Sequence, residues 1–333
     1  MNIAIIGAGS IGALKSDKYE NRNSDNILTH AHAAYILKKK KLINDFFIIE
    51  SNWKKRAEAN KKWDCKVFKS LEELKIKQRN IDIFVIAVPT EIHYDILTQI
   101  INLRFNSKLV ICEKPFCSTI QQAKWISKQY MSRDIPIVVD YIRRFSPTIQ
   151  TLKDRLESNE FGKPQSCNIV YTRGLIRDGC HAIDLCNLFF GEFKRGKILG
   201  NKSNAYNDYS NEDLTYPVWM EYENCKNIFF TPVSGNNYSI FEMDILTEKA
   251  RICLIDHSKT TKIFPSKPEK IYGDFNSITY ESVEDINNEL VNSLYFLHGN
   301  CIEYLNSKNK NKYDLFCTSV DAILVHEVYK KIL

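Results

Sequence analysis

Short apolar runs alternate with amphipathic stretches over the first 140 residues, and the two textures predict strands and helices in turn. Ile3 to Ile6, Phe46 to Ile49, Ile81 to Val88, Leu109 to Cys112 and Pro136 to Val139 read as five buried strands. Between them, His30 to Lys41 with Thr29 as N-cap, a stretch capped by Thr90 and running through Glu91, His93 and Ile96, and Thr119 to Tyr130 read as helices. Strands that alternate with helices require a parallel sheet covered on both faces. Ligands on such sheets bind outside the carboxyl ends of the strands.

From about Pro164 the pattern changes. Ser166 to Thr172 reads as a strand and Cys180 to Phe190 as a helix, followed by β-like runs at Lys197–Leu199, Tyr216–Tyr222, Asn227–Val233, Ser239–Leu246, Arg251–Ile255 and Thr261–Phe264. Successive strands without intervening helices indicate an open, mostly antiparallel sheet. Two helical stretches, about Val283 to Leu305 and Leu315 to Ile332, close the chain. The fold expected is therefore α/β: a parallel, doubly wound (Rossmann-type) sheet over residues 1–140, then an α+β domain over 141–333.

The strand–turn junction carries the first chemistry. Gly7-Ala8-Gly9-Ser10-Ile11-Gly12 follows the first strand directly, which is the context that gives G-x-G-x-x-G its meaning. Gly7 allows the tight turn and Gly9 lets backbone approach a pyrophosphate. Gly12 lets the following helix pack on the strand with its first N–H groups toward the phosphates. Ala13 to Leu28 interrupts this unit with polar, turn-rich sequence. A brief helical turn, a loop and then the main helix are expected, the loop being either a disordered insertion or a lid. Glu50 ends the second strand, placed to accept hydrogen bonds from ribose hydroxyls and to repel a 2′-phosphate. It stands farther from the glycines than the usual ~20 residues, and the insertion accounts for the excess. NAD is favoured, with NADP left open by the cations Lys54, Lys55 and Arg56 just behind.

Composition narrows the function classes. The net charge of +6 arises from 46 basic and 40 acidic residues scattered along 333 positions, a mild excess without a nucleic-acid footprint. No apolar stretch is long enough to span a bilayer. The ten cysteines occur singly, without a C-x-x-C pair, several within apolar runs. With the first strand at the very N-terminus, they suggest a reduced, cytoplasmic protein lacking a structural metal.

Arg177-Asp178-Gly179-Cys180-His181-Ala182-Ile183-Asp184 is the second informative stretch. On a helix His181 and Asp184 share a face. An imidazole near a nicotinamide can take the proton of a hydroxyl whose carbon loses hydride, with Asp184 orienting the ring. On spacing alone, a helix-start histidine capped by Asp178 is the favoured reading of the stretch.

The glycine loop, Glu113-Lys114-Pro115 at the end of the fourth strand, Arg143-Arg144-Phe145 with Pro147, and His181-Ala182-Ile183-Asp184 occur together in this order. In that combination the chain resembles the Gfo/Idh/MocA oxidoreductases over essentially its full length. The resemblance implies a nicotinamide cofactor, a sugar, cyclitol or nucleotide-sugar substrate, and homodimers or homotetramers formed through the open sheet. It also implies a C-terminal helix packed back near the nucleotide domain. By position, Lys114 would hydrogen-bond the reacting hydroxyl, His181 would be the general acid/base, and Pro115 would be cis. Ser10, Ile11, Pro89, Thr90, His93 and Glu113 complete the expected cofactor contacts, and Arg143 and Arg144 are either substrate contacts or structural ion pairs. One position departs from the family. Many relatives carry an aspartate four residues before the histidine, where this chain has Arg177, and the acidic residue, Asp178, is three before. The Thr172–Arg177 and Thr29–Ala33 segments are similar to a subgroup associated with surface-polysaccharide sugars. A non-catalytic dinucleotide-binding sensor on the same fold is the alternative, disfavoured by retention of both Lys114 and His181.

Overall fold

The computed structural model describes residues 1–78, 80–201, 205–307 and 314–333. The chain divides into two compact units, residues 1–145 with 291–323, and residues 146–290 with 324–333.

The first unit is built on a six-stranded sheet of β1 (Asn2–Ile6), β2 (Asp45–Ile49), β3 (Lys66–Phe68), β4 (Ile83–Ile86), β5 (Leu109–Cys112) and β6 (Ile137–Val139). Its order is β3-β2-β1-β4-β5-β6, and every pair is parallel. The order reverses at β1, the topological switch point where doubly wound sheets bind dinucleotides. The central strands are buried on both faces, which is why they read as unbroken apolar runs. Helices α1 (His30–Lys39), α2 (Trp53–Trp63), α3 (Leu71–Lys77), α4 (His93–Asn102) and α5 (Ile120–Met131) connect the strands.

Three expectations change here. Ile83–Ile86 is the fourth strand and not the third, because α2, β3 and α3 intervene. The short β3 alternates exposed, half-buried and buried positions, and so lacks the apolar run that marks its neighbours. Thr90 caps nothing with its side chain. It opens a 3₁₀ turn, 90–92, that runs straight into α4. The stretch near Val283 is not helical: Glu284–Asn287 is a strand, and helix α8 begins only at Ser293. By contrast Thr119 caps α5 in a reciprocal box with Gln122.

The second unit carries a nine-stranded sheet. Its main path is β16 (Asn276–Ile278), β15 (Thr260–Pro268), β14 (Ala250–Ile255), β13 (Phe241–Thr247), β7 (Pro164–Tyr171), β12 (Ile228–Pro232), β11 (Val218–Tyr222) and β8 (Phe193–Ile198). β17 (Glu284–Asn287) adds to β15, and β9 (Tyr206–Ser210) and β10 (Asp213–Thr215) form a separate hairpin. Among the described pairings of this sheet only β7–β12 is parallel. The strands alternate buried and less buried positions, β13 over its whole length, so one face is covered and the other open. Helices α6 (Pro147–Glu157) and α7 (Cys180–Phe190) pack together in this unit. The last helices of the chain are α8 (Ser293–Asn306) and α9 (Ser319–Ile332).

Candidate active site

The glycine loop is shaped by contact with the strand beside it. Gly7 has φ +98°, and a Cβ there would collide with the Ala87 carbonyl beyond β4; one at Gly12 would strike the Gly7 carbonyl. At Gly9 nothing lies within 4 Å of a Cβ position, so the loop opens there. Ala13 and Leu14 both donate N–H to the Gly9 carbonyl at 2.9 Å, a single turn and no more. The α-helix proper starts at His30, whose N–H reaches the Ile11 carbonyl (3.0 Å), while that of Ala31 reaches Gly12 (2.9 Å). The insertion is thus an excursion from one helix start, closed at its base. The N–H groups expected to face phosphate belong to the loop and its one turn, because the first two of α1 are already used.

The excursion is fastened, not disordered. Lys62 of α2 donates to the Lys15 and Glu20 carbonyls and to Asp17, and the Trp63 indole N–H to the Ala13 carbonyl (2.7 Å). The buried Glu20 carboxylate accepts from the N–H of Leu28 (2.6 Å) and Thr29 (2.8 Å). Ile27 packs with Ala33 and Leu294. At the end of β2, Glu50 accepts from the N–H of Ala8 at 2.9 Å and of Asn52 at 2.8 Å. That carboxylate therefore stands at the glycine loop itself.

Beyond β4 lie Pro89 and Thr90, then His93, whose buried ring touches the Val88 carbonyl (Nε2, 2.9 Å) and the Phe116 carbonyl (Nδ1, 3.2 Å). It ties the segment after β4 to the segment after β5. Burial holds it neutral by lowering its pKa. Glu113-Lys114-Pro115 follows β5, with the Lys114–Pro115 peptide cis. Around Glu113 the chain assembles a buried cluster that motif reading missed. His30 Nε2 lies 3.1 Å from Glu113 Oε1 and 3.9 Å from Asp140 Oδ2, and His30 Nδ1 lies 3.0 Å from His298 Nε2. Glu113 and Asp140 hydrogen-bond each other. Burial raises the Glu113 carboxyl to about 7 against the pull of the Lys114 charge, and raises Asp140 well above its usual range, with the Glu113 charge adding to the effect. It lowers both histidines. Arg144 is buried and pairs with Asp321 (3.1 Å) and the Phe316 carbonyl (3.3 Å), which makes it structural.

In the second unit, residues 175–179 form a π-type turn that enters α7 without a side-chain cap. Asp178 does not cap the helix, and its carboxylate lies 3.6 Å from Arg177. The turn is held from outside. Asp213 accepts from the N–H of Ile176 and Arg177, both at 2.8 Å, and Thr215 Oγ1 accepts from the N–H of Gly174 (2.7 Å) while donating to Asp208 (2.6 Å). Gly174 has φ +89°, and a Cβ would meet the Asp213 carboxylate. His181 and Asp184 are both buried on the first turns of α7, with the His181 ring edge-on to Phe241. Nothing in the Asp208 and Asp213 sequence context marked them. They sit in a polar hairpin, and only folding brings them under the turn.

Residues 1–141 match the family model described as an oxidoreductase family with an NAD-binding Rossmann fold, GFO_IDH_MocA. Over those residues, under half of the chain, the sequence is similar to the NAD-binding domain of the Gfo/Idh/MocA oxidoreductases. A scyllo-inositol 2-dehydrogenase (NAD(+)) of Bacillus subtilis is 30% identical over 117 residues, 35% of this chain and 30% of that protein. The chain spans about a third of the length of the curated relatives it first matches. Among solved structures, the super-repressor mutant of Gal80p from Saccharomyces cerevisiae superposes with TM-score 0.73 at 15% identity, covering 99% of this chain and 95% of that one. The WlbA dehydrogenase from Bordetella pertussis, in complex with NADH and UDP-GlcNAcA, does so with TM-score 0.70 at 14% identity, covering 99% and 95%. At such identities the likeness is one of fold.

For an NAD-binding Rossmann domain the cofactor test is whether the loop admits a pyrophosphate. It does: Gly7 and Gly12 are pressed against backbone, whereas the Gly9 side is open. Gly7, Gly9, Ser10, Ile11 and Gly12 are the residues that would hold the pyrophosphate, with Glu50 at the ribose and the Pro89–Thr90 segment on the other side of the switch point.

Proposed function

We propose that the protein is an NAD-dependent oxidoreductase that oxidises a secondary hydroxyl of a sugar, cyclitol or nucleotide sugar, or reduces the corresponding ketone. The observation that carries this reading is the Glu113-Lys114-cis-Pro115 turn at the carboxyl end of β5, on the same sheet as the glycine loop and Glu50. The bound nicotinamide supplies the hydride acceptor or donor. What the chain supplies is position and proton management. Lys114 hydrogen-bonds the reacting oxygen. Lys114 also relays its proton, and His181, with Asp184 and Asp178 nearby in sequence, is a second candidate acid/base group, in the second unit. The relatives that act on inositol and the fold neighbour bound to a nucleotide sugar support the substrate class. Glu50, bonded to the Ala8 amide, supports NAD over NADP because a 2′-phosphate would meet its charge. Assembly as a homodimer or homotetramer through the open face of the second sheet, and a cytoplasmic location, belong to the same proposal. No described helix is long and apolar enough to cross a membrane.

The test is formation of reduced nicotinamide when the purified protein and NAD meet a panel of inositols, free sugars and nucleotide sugars, with NADP in parallel. Turnover with one class is expected, with NAD preferred. Lys114→Ala should lower it by on the order of 100-fold or more with NAD affinity retained. Unchanged turnover in that variant would remove Lys114 from the mechanism, and failure to bind either dinucleotide would refute the reading as a whole.

A further inference from the structure

A carboxylate has only acceptors, so two carboxyl groups that hydrogen-bond each other must hold a proton between them. Glu113 and Asp140 are such a pair: their carboxyl groups gather with His30 within 4.8 Å of one another, and each side chain interacts with the other. Asp140 is buried and Glu113 largely so: His30 from α1, His298 and Cys301 from α8, Cys112 from β5 and the Lys114 charge are the described titratable groups that face them. His30 and His298 likewise place two ring nitrogens 3.0 Å apart, a contact that needs one N–H and one lone pair. His30 is thereby oriented, its Nε2 toward Glu113. The backbone N–H of Lys114 also donates to Glu113. One carboxyl oxygen, Asp140 Oδ1, is buried with no partner. It is an acceptor whose lone pairs are unused, so it can take a second proton.

We infer that Glu113 and Asp140 share a single proton in the resting protein, and that this pair takes up the proton Lys114 passes on when a substrate hydroxyl is oxidised. The inference rests on the dehydrogenase reading above. The step balances. The O–H bond of the hydroxyl breaks as its proton goes to Lys114, and a bound nicotinamide would supply the hydride acceptor for the same carbon. Lys114 gives one of its own protons to the singly charged pair, which becomes a neutral, doubly protonated pair, and the product is the ketone. In the reverse direction the pair returns that proton. Glu113 and Asp140 act through Lys114 and are positioning groups. The three groups His30, Glu113 and Asp140 gather within 4.8 Å of one another. Hydrogen bonds already join them, and the Lys114 ammonium supplies the positive charge a cation would bring.

Infrared spectroscopy of the whole protein tests the sharing without any turnover. At pH 7 the wild type should show the carbonyl stretch of a protonated, buried carboxyl, shifted in deuterium oxide, and Asp140→Asn should lose it. Absence of the band in the wild type would overturn the inference. So would a stoichiometric divalent metal in the wild type that the variant lacks, because a bound cation leaves no proton to share. With an active substrate in hand, Asp140→Asn should lower kcat by roughly tenfold or more, with KM and NAD affinity within about twofold. Its turnover should climb with pH where that of the wild type is flat, and Asp140→Glu should restore the flat profile. An unchanged kcat–pH profile in Asp140→Asn would overturn the transfer. Loss of NAD binding in the wild type would instead defeat the dehydrogenase reading and leave the infrared result standing.

Discussion

At the scale of single residues, burial decides protonation more than local sequence does. His326 is buried beside Tyr329, 5.1 Å between ring centroids, and desolvation lowers its pKa to about 4. The unfolded chain would titrate this ring near 6.5. A depressed basic pKa means that the unfolded state binds the proton first. The stability held above pH 6.5 is then lost as pH falls toward and through 4. His326→Leu should remove that penalty. Between pH 7 and 4 the variant is expected to gain on the wild type by about 2–3 kcal/mol, read from denaturant unfolding at each pH. Parallel stability curves would mean that the ring is protonated or solvated in the fold. Glu113 behaves oppositely, its neutral form favoured by the same desolvation.

At the scale of elements, the chain positions two of its proposed functional segments with supports that lie far away in sequence. The π-type turn 175–179 has no capping side chain of its own. It hangs from Asp213 of β10, which accepts two of its N–H groups from inside a buried setting. Asp213→Ala leaves those donors unsatisfied and should destabilise the protein by about 1–3 kcal/mol. It should also cut turnover more than that loss explains, because the entry to α7 and hence His181 shifts. Thermal unfolding set beside kinetics at a temperature where the variant remains folded checks this. Equal kcat would show that the turn holds itself. The insertion follows the same logic: Lys62 and Trp63 at the end of α2 tie down residues 13–20, where sequence reading left disorder and a lid both open.

At the scale of the whole molecule, all ten cysteines are single and buried. Desolvation raises the thiol pKa to about 11 at Cys253 and about 12 at Cys65 and Cys117, and moves Cys112, Cys167, Cys186, Cys225 and Cys301 the same way, away from the thiolate range that makes cysteine reactive. The native protein is expected to react slowly or not at all with a chromogenic thiol reagent, and all ten should react in guanidinium. Rapid titration of several thiols in the native state would indicate that one of the two units opens locally. The same burial explains how ten cysteines coexist without a metal-ligand spacing in the sequence: they act as small apolar side chains.

Sequence alone determined the parallel sheet, the glycine loop, the helix capped by the Thr29 side chain, and the antiparallel character of the second unit. In each case the information is local: an unbroken apolar run, a glycine whose Cβ has no room, or a hydroxyl that meets an N–H three residues on. The Glu113-Lys114-Pro115 turn was legible for the same reason, as a motif at a strand end. Tertiary structure decided the rest. β3 and α3 were hidden because a short edge strand buries too little to leave a pattern, and Glu284–Asn287 became a strand because β15 offered it an open edge. The partners that fix the sites, Asp213 under the 175–179 turn and His30, Asp140 and His298 around Glu113, lie between 27 and 268 residues apart in the contacts they make with one another or with the site. No periodicity links positions at such separations. Their protonation states follow from the water each loses on folding, a quantity that exists only once the chain has closed around them.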